Sequence, residues 1–280
     1  MQEIADNVFI EQNSLGLFAG IVHHDQGTIL IDSPIRTDGA GTWRGATARL
    51  ITGHPRYMVV LDTNYDRFLS IKGNDTTIVA HSETITPLRS RYSAAKAVED
   101  SYQYEGNEVH TGSNRMQAPE INFDEELSLH LGDLQIKLEH RPGSNMAGVW
   151  AIIPERNVVF VGDSVLVDEP PFLAYANLER WEQDLKELAS KRFKDYQIVS
   201  SRSGLVNKDQ VKVMTSNISY IGKVFEKLAA SKAPIDEWYA KIPAISGKII
   251  ELNLFNSDLF YNRLHWGITT YYELNCRERG

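Results

Sequence analysis

The chain has 280 residues, 42% of them hydrophobic and 24% charged, with a formal net charge of −8. That balance belongs to a folded globular protein rather than a disordered one. The acidic excess and the lack of a basic patch exclude phosphate-backbone binding as a main activity, so no nucleic-acid partner is expected. A single cysteine, Cys276, cannot close an internal disulfide, which suits a reducing compartment. The N-terminal MQEIADNVFIEQ has no basic-then-apolar leader and no apolar run reaches bilayer length. A cytoplasmic protein with no membrane partner is the expectation.

The first third reads as short strands. Val8–Glu11, Leu17–His23 and Thr28–Asp32 are separated by turn signals at Asn13-Ser14 and Asp25-Gln26-Gly27, and the second of these predicts a hairpin. Residues 39–51 carry a helical pattern ended by Gly53 and Pro55. Strands follow at Arg56–Asp62 and Thr76–His81, then a second helical pattern over 83–99. Residues 102–122 are polar and irregular, a length of loop that often borders a functional site, although a surface excursion accounts for it better than a lid.

The second half restarts the strand pattern. Leu127–Leu131 and Leu134–His140 flank Gly132-Asp133, and Val149–Ile153 and Val158–Val161 flank Pro154–Asn157, so two further hairpins are expected. A helix over Leu178–Ser190 places Trp181, Leu185 and Leu188 on one face, and Gln197–Ser201 is a strand. Helices at 211–228, 235–241 and 255–274 complete the chain. Both halves thus repeat one pattern, which predicts two mixed sheets packed face to face with helices outside. No linker or low-complexity segment divides residues 1–280, so a single domain is expected.

Several of these segments carry more than periodicity. They are GTILIDS at 27–33, VVLDTNYDRFL at 59–69, TTIVAH at 76–81, HRPGSNMAGVWAIIPERNVVFVGDS at 140–164 and IVSSRSG at 198–204. In their order and content they resemble the metallo-β-lactamase superfamily, over about residues 7–204. The resemblance implies a four-layer αββα sandwich, here with extra C-terminal helices over 205–280. It also implies where a metal-binding site would lie, and there the pattern departs from the family. Thr63 matches, but Asn64 and Asp66 stand where the first two histidines belong, Phe68 at the acidic ligand and Leu69 at the third histidine. Asn145 replaces the histidine after Pro142-Gly143, and Arg202 the histidine of the last strand. Of the family's seven ligand positions only Asp163 keeps its residue, so no resident metal or other cofactor is expected.

Zinc needs converging imidazole, thiolate or carboxylate donors, and Phe68 and Leu69 donate nothing. The oxygens of Asn64, Asp66, Asn145 and Asp163 form a hard donor set suited to Mg²⁺ or Ca²⁺, but Arg202 would put a fixed positive charge in the same place. The alternative is a metal-free site in which Asp66, Asp163 and Arg202 converge, either as acid–base groups or as a salt-bridged plug. Around it the resemblance places Asn64, Tyr65, Phe68, Leu69, His81, Asn145 and Phe172 as cleft-lining residues.

No H-x-H, H-x-x-x-H or Cys/His spacing offers a separate zinc site. Ser93-Ala-Ala-Lys96 satisfies S-x-x-K but lacks its companion motifs, which makes chance the better account. Ser200, Ser201 and Ser203 beside Arg202 could supply a nucleophile, although no G-x-S-x-G elbow surrounds them. The C-terminal aromatics Phe255, Phe260, Tyr261, Trp266, Tyr271 and Tyr272 suit core packing or a homodimer contact. Three functions are compatible with this sequence. The first is a metal-free small-molecule binder or catalytically silent homologue. The second is an atypical hydrolase of an ester or lactone using Asp66, Asp163 and Arg202. The third is a regulatory subunit pairing with an active homologue.

Overall fold

A computed structural model describes residues 1–12, 17–32, 56–64, 76–84, 118–167, 169–249 and 257–276. The helix expected over 39–51, most of that over 83–99 and most of the segment 102–122 lie outside these residues.

Two sheets form the body. The first runs in spatial order β1 (Gln2–Ala5), β2 (Val8–Gln12), β3 (Phe18–His24), β4 (Gly27–Ile31), β5 (Arg56–Val59), β6 (Thr77–His81) and β7 (Ile121–Phe123). Its hairpin strands β1–β4 pair antiparallel, whereas β4–β5, β5–β6 and β6–β7 are parallel. The second sheet comprises β8 (Glu126–Leu131), β9 (Leu134–His140), β10 (Val149–Ile153), β11 (Val158–Phe160), β12 (Gln197–Ser200) and β13 (Gly204–Val206), ordered from β13 to β8. Only its β11–β12 pair is parallel.

The three expected hairpins form, and two of them have a turn residue well suited to its bend. Gly132 adopts φ +60° between β8 and β9, and Asn157 adopts φ +51° after the 3₁₀ turn Pro154–Arg156, conformations that Gly and Asn reach at least cost. The sequence pattern does not predict strands β1, β7 and β13. Each spans only four or three residues, too short for an alternating pattern to stand out.

Alternation along the strands sets the layers. Ile29, Ile31, Val59, Leu61 and Val79 of the first sheet meet Ile136, Leu138, Val149, Ala151, Ile153 and Val199 of the second in the central core. Their neighbours Leu30, Met58, Val60, Ile78 and Ala80 are buried on the opposite face of the first sheet. Strands apolar on both faces read as unbroken hydrophobic runs, which is the character of VVL at 59–61.

On the outer face of the second sheet lie helices α1 (Leu178–Leu188), α2 (Lys208–Ala230), α3 (Ile235–Tyr239), α4 (Ile242–Ile249) and α5 (Ser257–Asn275). Trp150, Ile152, Val159 and Ile198 pack there against Trp181, Leu185, Met214, Ile218, Trp238 and Leu264. Trp150, Trp181 and Trp238 are fully buried, each contributing about 1.5–3 kcal/mol or more. Helix α2 begins before the first apolar residue of its pattern. Asn207 accepts the N–H groups of Asp209 and Gln210, and the Gln210 side chain accepts the N–H of Asn207, a capping box that extends the helix backwards. The expected helix over 235–241 stops at Tyr239, and α4 starts afresh with Pro243 in its first turn, where a missing N–H is harmless. Among the described residues, no helix is long and apolar enough to cross a membrane.

Candidate functional site

At one end of the sandwich the two sheets are tied together. The N–H of Val149 donates to the carbonyl of Leu61 at 2.8 Å, and that of Phe18 to Ser201 at 2.8 Å. Asp32, buried just past β4 at φ +55°, accepts the N–H of Leu61 through Oδ1 at 2.9 Å and the hydroxyl of Ser201 through Oδ2 at 3.0 Å. One carboxylate thereby joins the ends of β4, β5 and β12.

Asp163 follows β11 and Gly162, which turns the chain at φ +58°. Its neighbour Ser164 is fixed by two buried indoles: Trp150 Nε1 donates to Ser164 Oγ at 3.1 Å and Trp181 Nε1 to its carbonyl at 2.8 Å. Asp163 is 3% exposed. Its Oδ2 accepts Asn64 Nδ2 at 2.7 Å and Arg202 Nε at 3.1 Å. The first bond crosses from one sheet to the other, because Asn64 ends the segment after β5. Asn64 is itself held by an N–H bond to Asp62 Oδ1 at 2.8 Å.

Arg202 sits on the turn between β12 and β13. Ser200 Oγ accepts the N–H groups of Arg202 and Ser203 and donates to the Val165 carbonyl at 2.6 Å, while Ser203 Oγ accepts the N–H of Val167. These bonds lock the Arg202 turn to the Asp163 loop, so the ion pair is preorganised by backbone as well as by charge. The hydroxyls of Ser200 and Ser203, two of the candidate nucleophiles, are thus committed to structural bonds.

Phe172 lies 4.5 Å from the Arg202 guanidinium carbon and 4.3 Å from that of Arg263, measured to the ring centroid. Two cations on one ring are favourable by cation–π attraction when each has its own carboxylate. Arg202 has Asp163, and Arg263 Nη1 donates to Glu169 Oε2 at 2.8 Å. Arg263 comes from α5, 94 residues beyond Glu169, and no sequence pattern marks it.

Asn145 is 5% exposed, and its Oδ1 accepts the Thr63 hydroxyl at 2.9 Å and the Ala147 N–H at 3.0 Å. It holds the 141–148 loop to the β5 end. Gly143 of that loop packs so closely on α1 that a Cβ would stand 2.5 Å from Trp181 Cα.

His81 is 3% exposed and stacks on His140 with ring centroids 3.6 Å apart. Its Nε2 donates to the Asp124 carbonyl at 2.7 Å, and its Nδ1 accepts the Glu83 N–H at 3.2 Å. Both nitrogens are therefore committed to backbone, and burial pushes the imidazole pKa down. His81 therefore offers no free nitrogen to a ligand. Asp66, Tyr65, Phe68 and Leu69 lie outside the described residues, as do Ser93 and Lys96.

No family profile matches the sequence, and no curated protein matches it. Solved structures do match. A metallo-β-lactamase family protein from Thermus thermophilus aligns over 96% of this chain and 93% of its own, at 16% identity and TM-score 0.64. A β-lactamase domain protein from Burkholderia ambifaria aligns over 98% and 87%, at 14% identity and TM-score 0.64. This is the metallo-β-lactamase fold. A double mutant of a sec-alkyl sulfatase shares it at TM-score 0.68 and 12% identity, with 97% of this chain covering 49% of that one.

At the positions where the sequence resemblance implies a metal site, the described residues do not fit zinc. Asn64 turns its amide nitrogen, not its oxygen, to Asp163, and Arg202 adds a cation to the same oxygen. The Asn145 oxygen is already bonded to Thr63 and Ala147, which also weakens the case for a hard cation held by Asn64, Asn145 and Asp163. Among the described residues, no group of three or more His, Cys, Asp or Glu side chains could hold a metal ion.

Proposed function

We propose that this protein is a metal-independent small-molecule binder built on the metallo-β-lactamase fold. The observation that carries this reading is the double donation to Asp163 Oδ2 from Asn64 and Arg202. A metal-ligating carboxylate directs its lone pairs at the ion, whereas here an amide and a guanidinium engage that oxygen. The same bonds oppose the hydrolytic alternative with Asp163 as base, because its Oδ2 already accepts two donors and is not turned to a substrate proton. Beside this polar pair, the Phe172 ring against Arg202 supplies apolar surface, a combination suited to small organic ligands.

Two measurements test the reading. Elemental analysis of the purified protein, followed by zinc titration calorimetry, is expected to give far less than one equivalent of zinc or iron. A stoichiometric metal would overturn the proposal. In a thermal-shift screen of small organic molecules, ligands that stabilise the wild type are expected to lose their effect in Arg202→Gln. Equal stabilisation of the two proteins would remove Arg202 from the site.

A further inference from the structure

We propose that Arg263 of α5 forms a subsite for a small organic carboxylate, and that Glu169 occupies it as a displaceable internal substitute. Arg263 is 5% exposed, and its guanidinium carbon lies 4.3 Å from the Phe172 centroid and 5.8 Å from that of Phe260. Its Nη1 donates to Glu169 Oε2 at 2.8 Å and, more weakly, to the Pro170 carbonyl at 3.4 Å. A guanidinium set against aromatic rings is a common way to read a carboxylate that carries an apolar body.

The partner is the unusual element. The Glu169 side chain is 34% exposed while that of Arg263 is 6% exposed, so a solvent-reaching acid covers a buried cation. Exchanging Glu169 for a ligand carboxylate keeps the charge-assisted bond to Arg263. It releases into water a carboxylate that is already partly hydrated, which makes the exchange inexpensive. Glu169 stands on the loop that follows Asp163, and Phe172 links Arg263 to Arg202, so the subsite adjoins the Asp163–Arg202 pair. The incoming ligand would carry one carboxylate and an aromatic or alkyl body resting near Phe172 and Phe260.

This inference rests on the binding reading for its place beside that pair, but its test does not involve Asp163 or metal content. Benzoate is titrated into wild type and Glu169→Gln, followed by calorimetry and NMR, with benzamide as the neutral control. Removing the competing carboxylate is expected to tighten benzoate binding about tenfold or more, with no gain for benzamide. Adding Arg263→Met to Glu169→Gln is expected to abolish the gain. Because Arg263 is buried, Arg263→Lys in the same background serves where the methionine variant fails to fold, and a benzoate affinity well below that of Glu169→Gln is the expected result. Equal benzoate affinity in wild type and Glu169→Gln, or a gain that survives Arg263 replacement, would overturn the proposal. A stoichiometric metal in the purified protein would sink the general reading while leaving this comparison intact.

Discussion

Arg202 donates its Nε–H to Asp163 across 3.1 Å, with both side chains at most 10% exposed. The pair ties the turn after β12 to the loop after β11. Removing one member of a buried ion pair leaves the other in a poor dielectric, so Arg202→Met is expected to cost about 3 kcal/mol. The double variant Asp163→Leu/Arg202→Met is expected to recover part of that loss. Urea denaturation of the four proteins in the cycle measures the coupling, and additive single effects would show that the pair is not an energetic unit.

Ser200 is expected to matter through bonding rather than nucleophilicity. Its hydroxyl makes three bonds that hold the Arg202 turn to Val165. Ser200→Ala leaves buried backbone groups short of partners, at a cost of about 1–3 kcal/mol. Treatment of the wild type with a serine-directed fluorophosphonate should leave Ser200 unlabelled by mass spectrometry; labelling would restore the nucleophile reading.

Two glycines give a matched comparison. At Gly143 a Cβ would stand 2.5 Å from Trp181 Cα and 2.9 Å from Asp184 Oδ2, whereas at Gly222, inside α2, nothing lies within 4 Å. Gly143→Ala should cost about 1–3 kcal/mol, because a helix backbone cannot yield. Gly222→Ala should be stabilising by up to about 1 kcal/mol from helix propensity. Chemical denaturation of both variants decides whether the loop-to-helix approach is as tight as described.

The acid limb of stability should depend on Glu139. Burial alone would raise its pKa, but bonds from Arg192, Arg141 and Lys137 outweigh this and hold it at about 2, against 4.5 for the free side chain. A depressed carboxylate pKa adds stability above the unfolded value, and that stability is lost as pH falls from about 4.5 towards 2. Nearby Asp184 works in the opposite sense, because burial raises its pKa. Denaturant midpoints of Glu139→Gln should therefore vary less with pH than those of wild type across that window. Parallel pH curves would contradict the ion network.

His81 should be neutral with its proton on Nε2, as its two backbone bonds require. Since burial lowers its pKa from 6.5, its contribution is present above that pH and fades as pH falls towards the folded value. Nitrogen-15 chemical shifts of the ring, followed from pH 7 downwards, would reveal early protonation or the other tautomer if this assignment is wrong.

The sequence by itself determined the strand alternation, the hairpin turns at Gly132 and Asn157, and the order of elements that resembles the metallo-β-lactamases. These are local properties, set by side-chain period and backbone conformational cost. It also singled out Asp163, Arg202, Asn64 and Asn145, at the positions where the resemblance implies a metal site. Only the tertiary structure decided how those residues bond: Asn64 and Arg202 sharing one oxygen of Asp163, Asn145 turned to Thr63, and His81 withdrawn into backbone bonds. Arg263 and Glu169 meet across 94 residues, with no spacing that links them. Hydrogen-bond direction and distant ion pairs depend on where separate strands and helices end in space, and one-dimensional periodicity carries no record of that.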